Sequence, residues 1–89
     1  MTETILVTGA SKGIGAATAR RLARDGFDIV VHYHSDQDGA ETVRDDIIAL
    51  GRTARLIRFD IADRDATRAA LEADIADHGA PYGVILNAG

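Results

Sequence analysis

Short apolar runs alternate with helically spaced apolar stripes along the whole of this chain. Ile5-Leu6-Val7 is all apolar, the pattern of a strand covered on both faces, and predicts a strand over roughly 4–8. An alanine-rich stretch of about 13–25 reads as a helix, closed by Gly26, which tolerates a left-handed helix end. Ile29-Val30-Val31 centre a second strand from Asp28 to about His34. Val43, Ile47 and Leu50 then recur at helical spacing and predict a helix of about 38–50, with Ser35 or Asp36 as its cap and Gly51 as its end. A third strand is predicted at about 54–59. Asp63 caps a further helix of about 64–78 that carries Leu71 and Ile75 on one face and stops at Gly79 and Pro81. A fourth strand, Tyr82 to about Leu86, leads into Asn87-Ala88-Gly89.

Strands alternating with helices of this length imply right-handed crossovers and a parallel sheet. The fold class is therefore α/β, the N-terminal part of a doubly wound parallel-sheet Rossmann fold with strand order 3-2-1-4. Residues 1–89 form one incomplete dinucleotide-binding segment that reads as cut off after the fourth strand. Gly83-Val84-Ile85-Leu86 is expected to expose an apolar edge with unpaired backbone groups, so that the isolated piece is neither a stable enzyme nor a well-folded monomer.

Composition narrows the function. A net charge of −4 offers no basic footprint for nucleic acid. The absence of cysteine excludes disulfides and thiolate metal sites. No apolar run nears the ~18 residues of a membrane helix. Met1-Thr2-Glu3-Thr4 lacks the basic start and apolar run of a signal peptide, and a cytoplasmic location is the default. His32 and His34 alternate in a strand and share a face, but no third ligand stands at a sensible spacing and no metal site is assigned. His78 sits at a helix C-terminus, where it suits the dipole.

The candidate chemistry lies in the turn after the first strand. Thr8-Gly9, Gly13 and Gly15 stand between a strand and a helix start, the context in which a glycine loop holds a nucleotide pyrophosphate. Gly13 allows the backbone to approach the phosphates, and Gly15 allows the helix to pack against the strand. Lys12 is placed to pair with the 2′-phosphate of NADP. NAD-binding folds carry an acid at the tip of the second strand, whereas here the tip reads Tyr33-His34-Ser35, and Asp36 comes just after it. His34 and Ser35 offer donors to a phosphate. The expected cofactor is NADPH.

The Thr-Gly-x-x-x-Gly-x-Gly pattern at 8–15, together with Asn-Ala-Gly at 87–89, resembles the short-chain dehydrogenase/reductase family over the whole chain. ILVTGASKGIG and FDIVVHYHSDQDGAE are most similar to the 3-oxoacyl-(acyl-carrier-protein) reductases, and HYHSD with HGAPYGVILNAG is closer still to the ketoreductases of aryl polyene gene clusters. The resemblance implies an NADPH-dependent enzyme that reduces the 3-oxo group of an acyl-carrier-protein thioester to a 3-hydroxyl. It also implies a homo-oligomer, tetramer or dimer, at full length. It assigns Gly9, Ser11, Lys12, Gly13, Ile14 and Gly15 to the phosphate loop. Asp60 and Ile61 match the pair that holds the adenine ring. Asn87, Ala88 and Gly89 match the strand end beside the nicotinamide ribose. Leu86 departs from the family, which commonly has an asparagine there.

The family's catalytic serine, Tyr-x-x-x-Lys pair and further asparagine have no counterpart in these residues. Tyr33 and Tyr82 are the only tyrosines, neither has a lysine four places on, and Lys12 is the only lysine. No catalytic residue is assigned. The resemblance and the usual size of a doubly wound domain place that pair in roughly 150 further residues beyond Gly89. A non-catalytic nucleotide-binding or redox-sensing module of the same fold is the alternative reading, which a reading frame without the Tyr–Lys pair would favour.

Overall fold

The computed structural model describes residues 2–87. Seven elements alternate along it: β1 (Thr4–Val7), α1 (Gly13–Arg24), β2 (Asp28–Tyr33), α2 (Gln37–Ala49), β3 (Ala54–Arg58), α3 (Arg64–His78) and β4 (Gly83–Ile85). The strands form one parallel sheet in the order β3-β2-β1-β4, as the alternation predicts. Leu6 of β1 stands between Val30 of β2 and Val84 of β4, which fixes the register across the switch point.

The period-two alternation of the strands builds two cores. Ile5, Val7, Ile29, Val31 and Tyr33 face α1 and α2, where Ala16, Ala19, Ala23, Ala40, Val43 and Ile47 complete the larger cluster. The alanines of α1 lie three and four residues apart, so the helix presents a stripe of small side chains and lies close to the sheet. Leu6, Val30, Ile57 and Phe59 point to the opposite face, against Ala70 and Leu71 of α3. Helices on both faces of a parallel sheet are the doubly wound arrangement. Within one helical layer, Arg20 of α1 reaches Asp46 of α2 at 2.8 Å. Arg55 of β3 grips both carboxylate oxygens of Asp74 in α3, at 2.9 and 2.8 Å.

The second face is thinly covered. No residue of α3 is fully buried, and Ile75, expected on its packed face, is 43% exposed. Leu50 likewise does not join the core; it is the C-cap of α2 and 45% exposed, because the helix has already ended. β4 is a strand of only three residues that, among the described residues, pairs with β1 alone, and Val84, Ile85 and Leu86 beside it are exposed, as the apolar run predicts. Leu86, Val84, Ile75 and Phe59 line an apolar groove of about 380 Å³ between β4 and α3. Among the described residues, no helix is long and apolar enough to cross a membrane.

Candidate functional site

The strands all end on one side, where β1 and β2 give way to their loops, and there a cleft of about 590 Å³ opens. Gly9, Ser11, Lys12, Gly13 and Ile14 form one wall; His34 and Ser35 stand at the end of β2; Asp60 and Ile61 follow β3; and Asn87 follows β4. The fold thus gathers residues separated by most of the chain. Gly15 lies just behind this wall, inside the first turn of α1. Ala88 and Gly89, also assigned to the site, lie outside the described residues.

The loop after β1 needs its glycines for different reasons. Gly9 and Gly13 have φ of 60° and 62°, the left-handed region that favours glycine. Space is open where a Cβ on Gly13 would stand, so that position is held by conformation and leaves the backbone bare toward the cleft. Gly15 has the opposite constraint. A Cβ there would run into the carbonyl oxygen of Gly9 and lie 2.7 Å from Nδ2 of Asn87. The expected close packing of Gly15 against the strand is therefore corrected: its neighbours are the loop itself and the segment after β4.

Lys12 is the N-cap of α1, with extended backbone (φ −161°, ψ 171°), no side-chain cap and no acidic residue in the first turn. The other helices differ. Asp36 accepts the Gly39 N–H at 3.0 Å and caps α2, while Asp63 accepts the Ala66 N–H at 3.0 Å and caps α3. Among the described residues, no backbone carbonyl takes the N–H groups of Ser11, Lys12, Gly13 or Ile14 outside the regular elements. Those free donors sit at the positive end of α1 with Lys12 beside them, an arrangement chemically suited to an anion. The Ile14 side chain, 78% exposed, stands on the same rim.

Three side-chain contacts hold the loop, and two of them rest on residues outside the predicted site. Thr8 is buried, and its hydroxyl accepts the Asn87 N–H at 2.8 Å, tying the end of β1 to the end of β4. Asn87 Nδ2 donates in turn to the Gly9 carbonyl at 3.3 Å. His32, only 4% exposed, accepts the Gly9 N–H on Nδ1 at 2.9 Å and meets the Phe59 carbonyl with Nε2 at 2.9 Å. Its ring lies against that of Phe59, centroids 4.0 Å apart. Both ring nitrogens are engaged by the backbone, which takes His32 away from ligation. Burial pushes its pKa below the usual histidine value; the Phe59 carbonyl opposes this, and the neighbouring His34 adds to it. A histidine within the otherwise apolar, β-branched run of β2 was the available sequence signal; the partner that gives it meaning, Gly9, lies 23 residues away.

Gly39 is a further position the sequence did not single out. A Cβ on it would strike the Asp36 carboxylate and the Ser11 carbonyl, so the start of α2 lies directly against the loop. Asp36 itself borders the cleft, but one carboxylate oxygen is committed to the α2 cap. Asp60 bends the chain after β3 by accepting the Ala62 N–H at 2.9 Å, and its other oxygen is 3.9 Å from Nε2 of His34 across the cleft. Arg58 donates to the His34 carbonyl at 3.0 Å, fixing the end of β2.

The cleft has bare backbone donors at one end and mixed polar and apolar side chains at the other, at the point where the strand order reverses. That is where open parallel sheets bind nucleotides. The short chain dehydrogenase family profile matches residues 3–89. Over the whole chain the sequence is 53% identical to a 3-oxoacyl-(acyl-carrier-protein) reductase FabG of Aggregatibacter actinomycetemcomitans, covering 37% of that protein. It is 36% identical to the enzyme of that name from Staphylococcus aureus strain Mu50, covering 36% of it. The crystal structure of acetoin dehydrogenase from Enterobacter cloacae superposes with a TM-score of 0.91 at 39% identity, over all of this chain and 35% of that one. The chain thus spans about a third of the length of the relatives it matches. It belongs to the short-chain dehydrogenase family.

Proposed function

We propose that this chain supplies the cofactor-binding half of a cytoplasmic NADPH-dependent reductase that converts a 3-oxoacyl thioester on acyl carrier protein to its 3-hydroxyacyl form. The observation that carries the cofactor part is the bare start of α1: an uncapped, acid-free first turn with Lys12 at its N-cap. The free N–H groups of Ser11 to Ile14 would hold the pyrophosphate. The open space over Gly13 leaves room for it, as a Cβ-free cradle should. Asp60 and Ile61 would border the adenine, and Asn87, with Ala88 and Gly89 after it, the nicotinamide ribose. The cofactor, when bound, supplies hydride to the carbonyl carbon.

The preference for NADPH rests on Lys12 together with the end of β2. Lys12 brings the positive charge, and Ser35 and His34 bring donors where a 2′-phosphate would lie. Asp36 stands nearby, but its carboxylate serves the α2 cap rather than reaching for a ribose diol. The substrate class rests on the reductases named above, the first of them 53% identical over this whole chain.

Dissociation constants for NADPH and NADH, measured by calorimetry on the full-length protein, test the cofactor. A charge-assisted contact to phosphate contributes roughly 1.5–3 kcal/mol, so NADPH should bind about ten- to a hundredfold more tightly. Lys12→Ala should remove most of that margin and leave NADH nearly unchanged. Equal affinities in the wild type would refute the preference. Turnover of a 3-oxoacyl thioester tests the substrate, and failure to reduce it while reducing a simple ketone would refute that part.

A further inference from the structure

His32 lies beneath the glycine loop, and the cofactor reading gives it no part. Its ring bridges two elements. Nδ1 takes the Gly9 N–H, and Nε2 meets the Phe59 carbonyl at the end of β3. A carbonyl only accepts, so Nε2 must carry the proton; an amide N–H only donates, so Nδ1 must be bare. The geometry therefore requires the neutral Nε2–H tautomer. Ala10 N–H adds a third tie, to the His32 carbonyl at 2.9 Å, so that the loop hangs from this one residue by side chain and backbone together.

We propose that His32 is a positioning residue for dinucleotide binding: as neutral imidazole it holds the Gly9 end of the phosphate loop in place, and its protonation releases the loop. The proposal rests on the nucleotide reading above. A second proton on the ring would sit on Nδ1 and face the Gly9 N–H, donor against donor. Gly9 would then have to turn. Its carbonyl abuts Gly15 and accepts from Asn87, so the first turn of α1 and its free N–H groups would move with it.

The surroundings favour the neutral ring. Burial and His34 both oppose a positive charge on His32, and the Phe59 carbonyl only partly offsets them. The other charged groups bordering the cleft are Lys12 from the α1 cap, Asp36 from the α2 cap and Asp60 after β3, while β1 and β4 face it with Thr8 and Asn87, which do not titrate. A His whose folded pKa is lowered keeps its contribution at alkaline pH and loses it as pH falls below the ordinary value of 6.5 and through the folded one. Dinucleotide affinity should therefore decline in acid.

The test uses the full-length protein, NADP+ as an acid-stable probe, and two variants. His32→Asn places an amide oxygen near the position of Nδ1 and can accept from Gly9, but it does not titrate. His32→Leu fills the site and leaves the Gly9 N–H without an acceptor. At pH 8 the Asn variant should bind NADP+ within about threefold of wild type, and the Leu variant roughly ten- to a hundredfold more weakly. As pH is lowered from 8, the wild type should lose affinity relative to His32→Asn, the two profiles diverging below the ordinary histidine value of 6.5. Titration of the 2′-phosphate is common to both proteins and cancels in that comparison. Long-range proton–nitrogen NMR of the wild-type histidines should show His32 as the Nε2–H tautomer at neutral pH. Parallel pH profiles, a Leu variant with wild-type affinity, or an Nδ1–H tautomer would each overturn the proposal. If NADP+ fails to bind at any pH, the cofactor reading falls, and the NMR tautomer still decides the role of His32 in the loop.

Discussion

Gly15→Ala isolates the packing of the glycine loop from its conformation. Gly15 is the third residue of α1, and the helix there favours alanine over glycine by about 1 kcal/mol. On propensity alone the variant would be more stable. The tertiary contacts point the other way. The added methyl would run into the Gly9 carbonyl and stand 2.7 Å from Asn87 Nδ2, where ordinary contact lies at roughly 3.5–4.0 Å. The Gly9 obstacle is backbone, held by His32 and Asn87, so it is the loop that must give, by on the order of 1 Å. Overpacking of this kind costs about 1–3 kcal/mol, leaving a net destabilisation of roughly 0–2 kcal/mol. Binding should suffer far more. A displacement of about 1 Å in groups that position a ligand can cost on the order of a hundredfold. Calorimetry with NADPH on full-length Gly15→Ala should show a dissociation constant raised about ten- to a hundredfold, with a circular dichroism spectrum near that of wild type. Binding within twofold of wild type, in a folded protein, would refute the view that the Gly9–Gly15 contact sets the cradle.

Gly39→Ala should perturb the same loop from the other side, because its Cβ would strike the Ser11 carbonyl and the Asp36 carboxylate; loss of the cap alone costs about 0.5–2 kcal/mol, seen as a lowered denaturation midpoint, and NADPH affinity should fall with it. Asp74→Asn should destabilise the fold by roughly 1–3 kcal/mol at neutral pH, since it breaks the paired grip of Arg55 that joins α3 to β3. The Arg55 guanidinium, through its hydrogen bond to the carboxylate, holds Asp74 below its ordinary value of 3.8, with burial opposing. A lowered carboxylate pKa gives stability that is complete above 3.8 and is lost as pH falls through the folded value, so urea titrations of wild type and Asp74→Asn should converge in acid.

The order of elements was readable because each carries its own local signal. Apolar runs such as Ile29-Val30-Val31, the aspartate caps at Asp36 and Asp63 and the glycine stops at Gly26, Gly51 and Gly79 act within one turn of chain. Parallel order 3-2-1-4 follows from the handedness of the crossovers, and the glycine loop follows from residues adjacent in sequence. Burial was read less well where a helix packs only partly: Ile75 and Leu50 have the right spacing, yet α3 meets the sheet only near β3, and α2 has ended at Leu50. Spacing states which face is apolar, and only the assembled layers state how much of it is covered.

The site divides in the same way. Gly9, Gly13 and Lys12 could be assigned from sequence, because the conformation and charge they provide belong to one short segment. Gly15 was assigned too, but what presses on it was visible only in three dimensions. His32, Thr8 and Gly39 gain their roles from partners at the ends of other elements: Gly9 and Phe59, Asn87, and Ser11. In a parallel sheet those ends are brought together by crossovers that separate them in sequence. The sequence by itself thus determined which groups make up the glycine loop; the tertiary structure decided which groups hold them in place, because a hydrogen bond or a steric stop exists only once both partners are positioned.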